Sequence, residues 1–432
     1  MKRKSNFLAL VLALAIGPIA SAQHDDGKRE TVLYVWASDQ AHKAPDFLAV
    51  VDFNEDSANY GKVLGTVPVP PPGNIGNEPH HCHLSADSKI LACGGLLSVL
   101  HGQNGIFFFD VSNARQPRFL FSTKAVNSSI TDDFYPLPQG GFLISQMGSD
   151  TGGAPGRVAE FDGQLHFVAN HFGWTSMVQE WPANPPLDGF NPHGISARPD
   201  LNLMMTADFL LPTSTLNGTA GIELRGSVRI WDYNARKITR TIELHSPDGS
   251  PALGTMDVKM LPRDPHGIGY TAGMFDGHIY VIDPGKGTGS PAFDLSTVQP
   301  HVDTPLPGGM GQILATPKSG DRLIFGLFMA GQVGMLDTTD REHLKQVPGA
   351  IVSFGANAGP HNLVLSGDDS RLAVSDYFLN EDDQGVVHFE GDHRVRVLKV
   401  SHNSLKEDTR FHLDFNTAFP TGPARPHGLA MK

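Results

Sequence analysis

Apolar residues along this chain come in short runs broken by Gly, Asp, Asn and Pro, with no sustained helical period in the mature sequence. One kind of run recurs, an apolar strand closing on aspartate. It reads LAVVDF at Asp52, IFFFDVS at Asp110, VAEFDG at Asp162, VRIWDYN at Asp232, IYVIDPG at Asp283 and VGMLDTT at Asp337. VRVLKVS fills a seventh slot, with Lys399 in place of the acid. Ahead of each of the later six lie two runs joined by a tight polar turn, as in HLSADSKILACGG, ISARPDLNLMMTADF and VLSGDDSRLAVSDYF. Each unit predicts three strands, with a fourth, such as ITRTIEL, after them. Seven such units at a spacing of roughly 50–65 residues predict an all-β, seven-bladed β-propeller. A pair of β-sandwiches does not explain seven similar units.

The two ends of the pattern predict how the ring closes. Thr31–Ala37 reads as a second strand without its first, and PHGLAMK as a first strand without its second. Paired with each other, and followed by LAVVDF and GKVLGTVPV, they complete a seventh blade. The PHGLAMK segment is therefore expected to be the innermost, ordered strand of the closing blade.

Residues 1–22 have the build of a secretory signal. Lys2, Arg3 and Lys4 precede the apolar Phe7–Ile16, and Ala20-Ser21-Ala22 offers a cleavage site before Gln23. The apolar run is shorter than the ~20 residues a membrane span needs. The expectation is a single propeller domain over 23–432, periplasmic or secreted, without a membrane anchor. The formal charge of −12 argues against nucleic acid and anionic membrane surfaces as partners. Cys82 and Cys93 flank the turn at Asp87-Ser88 and face each other if that turn is a two-residue hairpin. They can form a disulfide in an exported protein; otherwise Cys82 is a weak ligand candidate.

The chemistry is carried by histidine. Six of the 20 histidines follow a proline, where composition alone gives about one or two. Aligning the seven first strands on their turns puts four of those six in one register. His80, His193 and His361 stand five residues before Ser85, Arg198 and Ser366, and His427 opens the seventh strand. Asp133, Asp257 and Gln312 stand five before Pro138, Pro262 and Pro317, and complete a ring at one channel mouth. Neutral imidazole binds Cu, Fe, Zn and Ni well, and a preceding proline restrains the backbone that aims it. The expected metal ligands are His80, His193, His361 and His427. Asp133 and Asp257 are the expected catalytic carboxylates, orienting ligands or moving protons. Glu78, Asp208 and Asp376 are further partners for the imidazoles. His81 and His83 alternate with His80 and are expected to face away from it. Met147, Met256, Met274, Met310 and Met329 are placed near the channel, chiefly as filler.

APDFLAVVDFNEDSANYGKVLGTVPVP followed by NEPHH resembles the opening of the selenium-binding protein family, which includes methanethiol oxidases, and GGFLISQMGS and NLVLSGDDSRLAVSDYF are also similar to it. The resemblance implies a seven-bladed propeller. For exported bacterial members it implies a copper-dependent oxidase that turns a small thiol into aldehyde, hydrogen peroxide and sulfide. The family's histidine pair falls on His80 and His81, and its last histidine on His427. The family's Trp-Asn after the pair is replaced by Cys82-His83-Leu84, its histidine-rich stretch in the second blade by Thr131–Tyr135, and His193 and His361 have no counterpart in its pattern.

The resulting expectation is a metal-dependent oxidoreductase acting on a small molecule with dioxygen, its cofactor copper or, by the ligand set, Fe2+. The alternatives are an Fe(II) dioxygenase cleaving a ring or double bond, a lactonase-type hydrolase, for which oxygen ligands would be the norm, and a non-catalytic propeller that binds metal or protein.

Overall fold

The computed structural model describes residues 29–168, 173–216, 221–356, 358–376 and 391–432. The expected leader over 1–22 lies outside the described residues. Seven antiparallel sheets follow one another around a ring. Their innermost strands are Pro79–Leu84, Ser128–Pro136, Pro192–Arg198, Thr255–Met260, Gly311–Ala315, Pro360–Leu365 and Ala424–Met431, in blades one to seven. Each blade has four strands, consecutive in the chain in blades one to six, and the short strand Leu413–Asp414 adds to the sixth.

The ring closes as expected. In blade seven the order from the axis outward is Ala424–Met431, Val32–Asp39, Phe47–Asp52, Val63–Pro68. Thr31 N and Val32 N donate to Lys432 O at 2.8 and 2.7 Å. The Lys432 ammonium reaches on to Ser88 O and Val111 O of blade one.

The strands are apolar because both faces of a blade are buried. Along Val32–Asp39, Leu33, Val35 and Ala37 pack with Val395 and Val397 of blade six, while Val32, Tyr34 and Trp36 pack with Leu91, Phe107 and Phe109 of blade one. Five of the six recurring aspartates end third strands and start the turn to the fourth; Asp162 lies inside its strand, Arg157–Val168. Asp52, Asp110 and Asp337 each accept the amide two residues on, and Asp232 and Asp283 the amide three on. A short carboxylate satisfies the turn where the ladder stops. Cys82 and Cys93 are directly opposed in the first hairpin and joined as a disulfide, so Cys82 offers no thiolate. Among the described residues no helix is long and apolar enough to cross a membrane.

Candidate metal centre

A regular strand in a propeller sends its side chains into the neighbouring blades, not to the axis. What turns side chains inward here is an irregularity shared by all seven innermost strands. Each carries an extra residue against its second strand, as a β-bulge. The bulges fall between Pro79 and Cys82, Thr131 and Phe134, Pro192 and Ile195, Thr255 and Val258, Gly311 and Leu314, Pro360 and Asn362, and at His427 opposite the Trp36–Ala37 step. A bulge re-aims the side chain it carries. The first bulged positions are His80, Asp132, His193, Met256, Gln312, His361 and His427.

Hydroxyls of the second strands hold these bulges. Ser145 Oγ donates to the carbonyl of His193, and Ser375 Oγ to that of His427. The indole Nε1 of Trp36 donates to Gly94 O, opposite the first bulge, at 2.7 Å.

Five buried histidines converge on the axis. One nitrogen from each of His80, His81, His361 and His427 lies within 4.8 Å of the other three. Two nitrogens sharing an ion stand roughly 3–4 Å apart, given metal–nitrogen bonds of about 2.0–2.1 Å. The His81 and His361 rings are stacked, and their Nε2 atoms are 3.2 Å apart. His193 belongs to an adjoining group with His80 and Asp132. Asp132 Oδ2 is 3.1 Å from His80 Nε2 and 3.2 Å from His193 Nε2, while its Oδ1 is 3.2 Å from His81 Nδ1.

Burial sets the charge states. It lowers the pKa of His80, pushes His193 down to about 3, and holds His361 and His427 well below the ordinary range. Four imidazoles are thus neutral at neutral pH, the state a metal requires. His81 is the exception. Burial also opposes its charge, but the hydrogen bond and field of Asp132 outweigh it and raise the pKa. Asp132 is driven well below the usual carboxylate range, its burial overcome by His193, His80 and His81. The tautomers follow. The side-chain oxygen of Gln312 accepts from His361 Nδ1, so neutral His361 presents a lone pair at Nε2. The proton between the two facing Nε2 atoms therefore sits on His81.

The carboxylate at the centre is Asp132, one residue before the expected Asp133. Asp133 instead accepts the amides of Phe134 and, in blade three, Ile195. Asp257 accepts those of Val258 and, in blade five, Leu314, and Lys259 Nζ lies between the two acids, 2.9 Å from Asp257 and 3.6 Å from Asp133. Asn362 accepts from Leu429 of blade seven in the same manner. In blades two, four and six the residue after the first bulged position thus clasps the next blade. The register slips because of the prolines. The first-hairpin turns begin at Ser85, Leu137, Leu261, Pro317 and Ser366, each of which accepts the amide three residues on. Pro138 and Pro262 are second residues of their turns, where proline is favoured, so counting back from them overshoots by one.

His81 turns inward because the bulge breaks the alternation that would set it outward; the expected outward position holds for His83, which is exposed and bonded to Leu84 O. The His-His pair carried by the resemblance is the available sign for His81. Gln312 stands in the ring as expected, and its role as the acceptor for His361 comes from the structure. Glu78 pairs with Arg425 at 2.8 Å and lies 4.0 Å from the His42 imidazole, Asp208 pairs with Arg229, and Asp376 accepts from His393 N. Met147, Met256, Met274 and Met310 lie in one apolar cluster beside the centre, with Met329 packed against it. The Phe209 ring of that cluster stands 5.1 Å from His193, and Gln312 Nε2 donates to Met274 Sδ.

Residues 17–281 match the model of the 56 kDa selenium binding protein (SBP56) family. The chain is 23% identical over 452 residues to a methanethiol oxidase of Danio rerio, with 93% of each chain covered. It is 24% identical over 465 residues to that of Homo sapiens, again with 93% of each covered. A solved structure titled as a hypothetical selenium-binding protein from Sulfolobus tokodaii superposes with a TM-score of 0.74 at 16% identity, over 94% of each chain, a likeness of fold.

Proposed function

This chain belongs to the 56 kDa selenium binding protein family, and from that membership and its buried histidine cluster we propose that it is an exported, metal-dependent oxidoreductase that oxidises small thiols with dioxygen. Its curated relatives carry the name methanethiol oxidase. The observation that carries the metal is the convergence of His80, His81, His361 and His427, four buried imidazoles with nitrogens within 4.8 Å of one another. The donor set suits copper or iron, soft enough for a thiol and able to use dioxygen. When bound, the metal supplies the one-electron chemistry that lets dioxygen meet a thiol. In the reaction proposed, a primary thiol, dioxygen and water, one molecule of each, give one molecule each of aldehyde, hydrogen sulfide and hydrogen peroxide.

The chain's own residues set the stage. Gln312 fixes the His361 tautomer, and Asp132 orients His80, His81 and His193. Asp132 stays ionised and holds the proton on His81. The apolar flank around Phe209 and the methionines keeps bulk water from the centre. The Cys82–Cys93 disulfide supports an oxidising compartment.

His80, Asp132 and His193 favour a second reading, because two histidines and one carboxylate are the usual facial set of a non-haem Fe(II) oxygenase. Elemental analysis and oxygen uptake decide. The expected result is one copper per chain, dioxygen consumption with methanethiol, and loss of both in a His81→Ala/His361→Ala variant. Iron that survives this variant and leaves only in His193→Ala selects the second reading. A metal-free protein inert to thiols sinks both.

A further inference from the structure

Each inward-turned side chain rides on a bulge, and second-strand hydroxyls hold several of those bulges in two ways. Ser145 of blade two and Ser375 of blade six face the bulges of their own blades and donate to His193 O and His427 O of the next. One step along the strand, Thr271 of blade four lies opposite Val258 and donates to Asp257 O in its own blade. Blade one carries two of the four clustered imidazoles, His80 and His81, yet has a hydroxyl at neither place. Trp36 takes the place of the serines in blade seven, and its indole donates to Gly94 O. Cys93 takes the place of Thr271, opposite Cys82 as Thr271 is opposite Val258.

What holds blade one instead is covalent. The Cys82–Cys93 disulfide closes the hairpin at the residue directly after His81. Both cysteines are buried, Cys82 9% and Cys93 0% exposed, in a cluster with Trp36 and Ala430 of the closing blade. The Cys82 sulfur lies against Gly428, the residue after His427, where an added Cβ would stand 2.9 Å from it. The bond therefore sits beside the strands of three of the four clustered histidines, His80, His81 and His427. A reduced Cys93 cannot do what Thr271 does, because S–H is a weak donor beside a hydroxyl.

We propose that the Cys82–Cys93 disulfide is a redox-sensitive clasp on the histidine centre: intact, it holds the bulge of His80 and His81, and its reduction relaxes that bulge and weakens metal binding. The holding role stands on the strand register; the effect on metal rests on the metal reading above. The reductant is a small thiol, the class of molecule the centre is proposed to oxidise. Its thiolate attacks the Cys82 sulfur, the more exposed of the two, giving a mixed disulfide and releasing Cys93 as a thiolate that takes up the first thiol's proton. A second thiol then frees Cys82 as a thiol, and the two small thiols leave as their own disulfide, two electrons having passed to the cysteines. Hydrogen peroxide reverses the change, taking two electrons and two protons from the cysteines to give the disulfide and two waters. Excess thiol thereby unloads the centre, and peroxide restores it.

Cobalt(II) tests this, because unlike Cu2+ it does not oxidise thiols. Its affinity is read by absorption, in the absence of dioxygen, for the full chain oxidised, for the chain reduced with dithiothreitol and desalted, and for two double variants. Cys82→Ala/Cys93→Ala removes the clasp. Cys82→Val/Cys93→Thr copies the Val258–Thr271 pair of blade four and offers a hydroxyl to His81 O. The expected result is binding weaker by about tenfold or more in the reduced chain and the first variant, the range usual when the support behind a histidine ligand is lost. The second variant should bind as the oxidised chain does, with or without reductant. In the metal-free protein, the imidazole 15N–1H resonances of His80 and His81 should move in the reduced chain and the first variant and keep their oxidised positions in the second. This second readout decides the clasp even if the oxidised chain binds no ion, a result that sinks the metal reading alone. Resonances unmoved by reduction, equal affinity of reduced and oxidised chains where an ion binds, or no recovery in the second variant overturns the clasp.

Discussion

The Nε2 atoms of His81 and His361 face each other at 3.2 Å with a single proton between them. They come from blades one and six, about 280 residues apart in sequence, and their rings stack. Asp132 on the far side of His81 and Gln312 on the far side of His361 decide which nitrogen keeps that proton. An ion held by His81 and His361 would require that proton to leave.

Metal uptake should therefore release a proton and weaken in acid. The His81 pKa is raised above its ordinary value by Asp132, so this imidazole keeps its proton to higher pH than a free one and competes with the ion there. Apparent Cu2+ affinity should climb as pH rises through the His81 pKa and level off beyond it. Calorimetric titrations in two buffers of different ionisation enthalpy should show net proton release on binding, shrinking as pH rises. A pH-independent affinity would contradict the shared-proton arrangement.

Asp132 and Asp133 are neighbours with opposite duties. Asp132→Asn should keep the fold and lower metal affinity by about 10–100-fold, the usual effect of losing a carboxylate behind a histidine ligand. Asp133→Ala should leave metal affinity within about twofold but cost roughly 1–3 kcal/mol of stability, since the Ile195 amide loses its acceptor and Lys259 one of its two carboxylates. Thermal unfolding and metal titration of both variants check the division. Equal effects on both readouts would refute it.

Gly428 separates the closing strand from the first histidine. A Cβ there would stand 2.2 Å from His80 O and 2.9 Å from the Cys82 sulfur. Gly428→Ala should push blade seven from blade one, displace His80 and His427 together, and abolish stoichiometric metal binding while lowering the melting temperature. Gly65, whose added Cβ meets nothing within 4 Å, is the control: Gly65→Ala should bind metal normally.

Asp46 gives the fold an acid preference. Burial raises its pKa to about 7 although Asn77 donates to it twice. A carboxyl raised in the folded state holds its proton more tightly than in the unfolded chain. Its favourable contribution is full below the unfolded value of about 4 and is lost as pH rises toward 7. Asp46→Asn keeps an oxygen for the Asn77 donors and should gain on the order of 1 kcal/mol over the parent at pH 8, with little difference at pH 4. Denaturant melts at the two pH values measure this, and equal differences at both would refute it.

Much of this is legible in the sequence because blades repeat. The aspartates that end five of the third strands, the opposed cysteines and the split closing blade all follow from spacing and turn chemistry. His80, His361 and His427 also stand in register. What spacing does not carry is the bulge. Strict alternation sets His81 outward, but an inserted residue in the first strand brings His80 and His81 to the same centre. The preference for Asp133 over Asp132 comes from counting back from Pro138, which occupies the second place of its turn while Ser85 and Ser366 occupy the first. His193 reads as one of four equal ligands, yet it stands to the side, across Asp132 from His81. A sequence does not show distances across an axis.

The closing blade also fixes when the centre can exist. His80 lies in the first complete blade, but His427 arrives on the strand that pairs with Val32–Asp39. A growing polypeptide that has not yet reached residue 431 has no finished cage to offer an ion. Under the proposed metal dependence, loading would follow synthesis of the whole ring, and an occupied site would certify that both halves of the clasp have met.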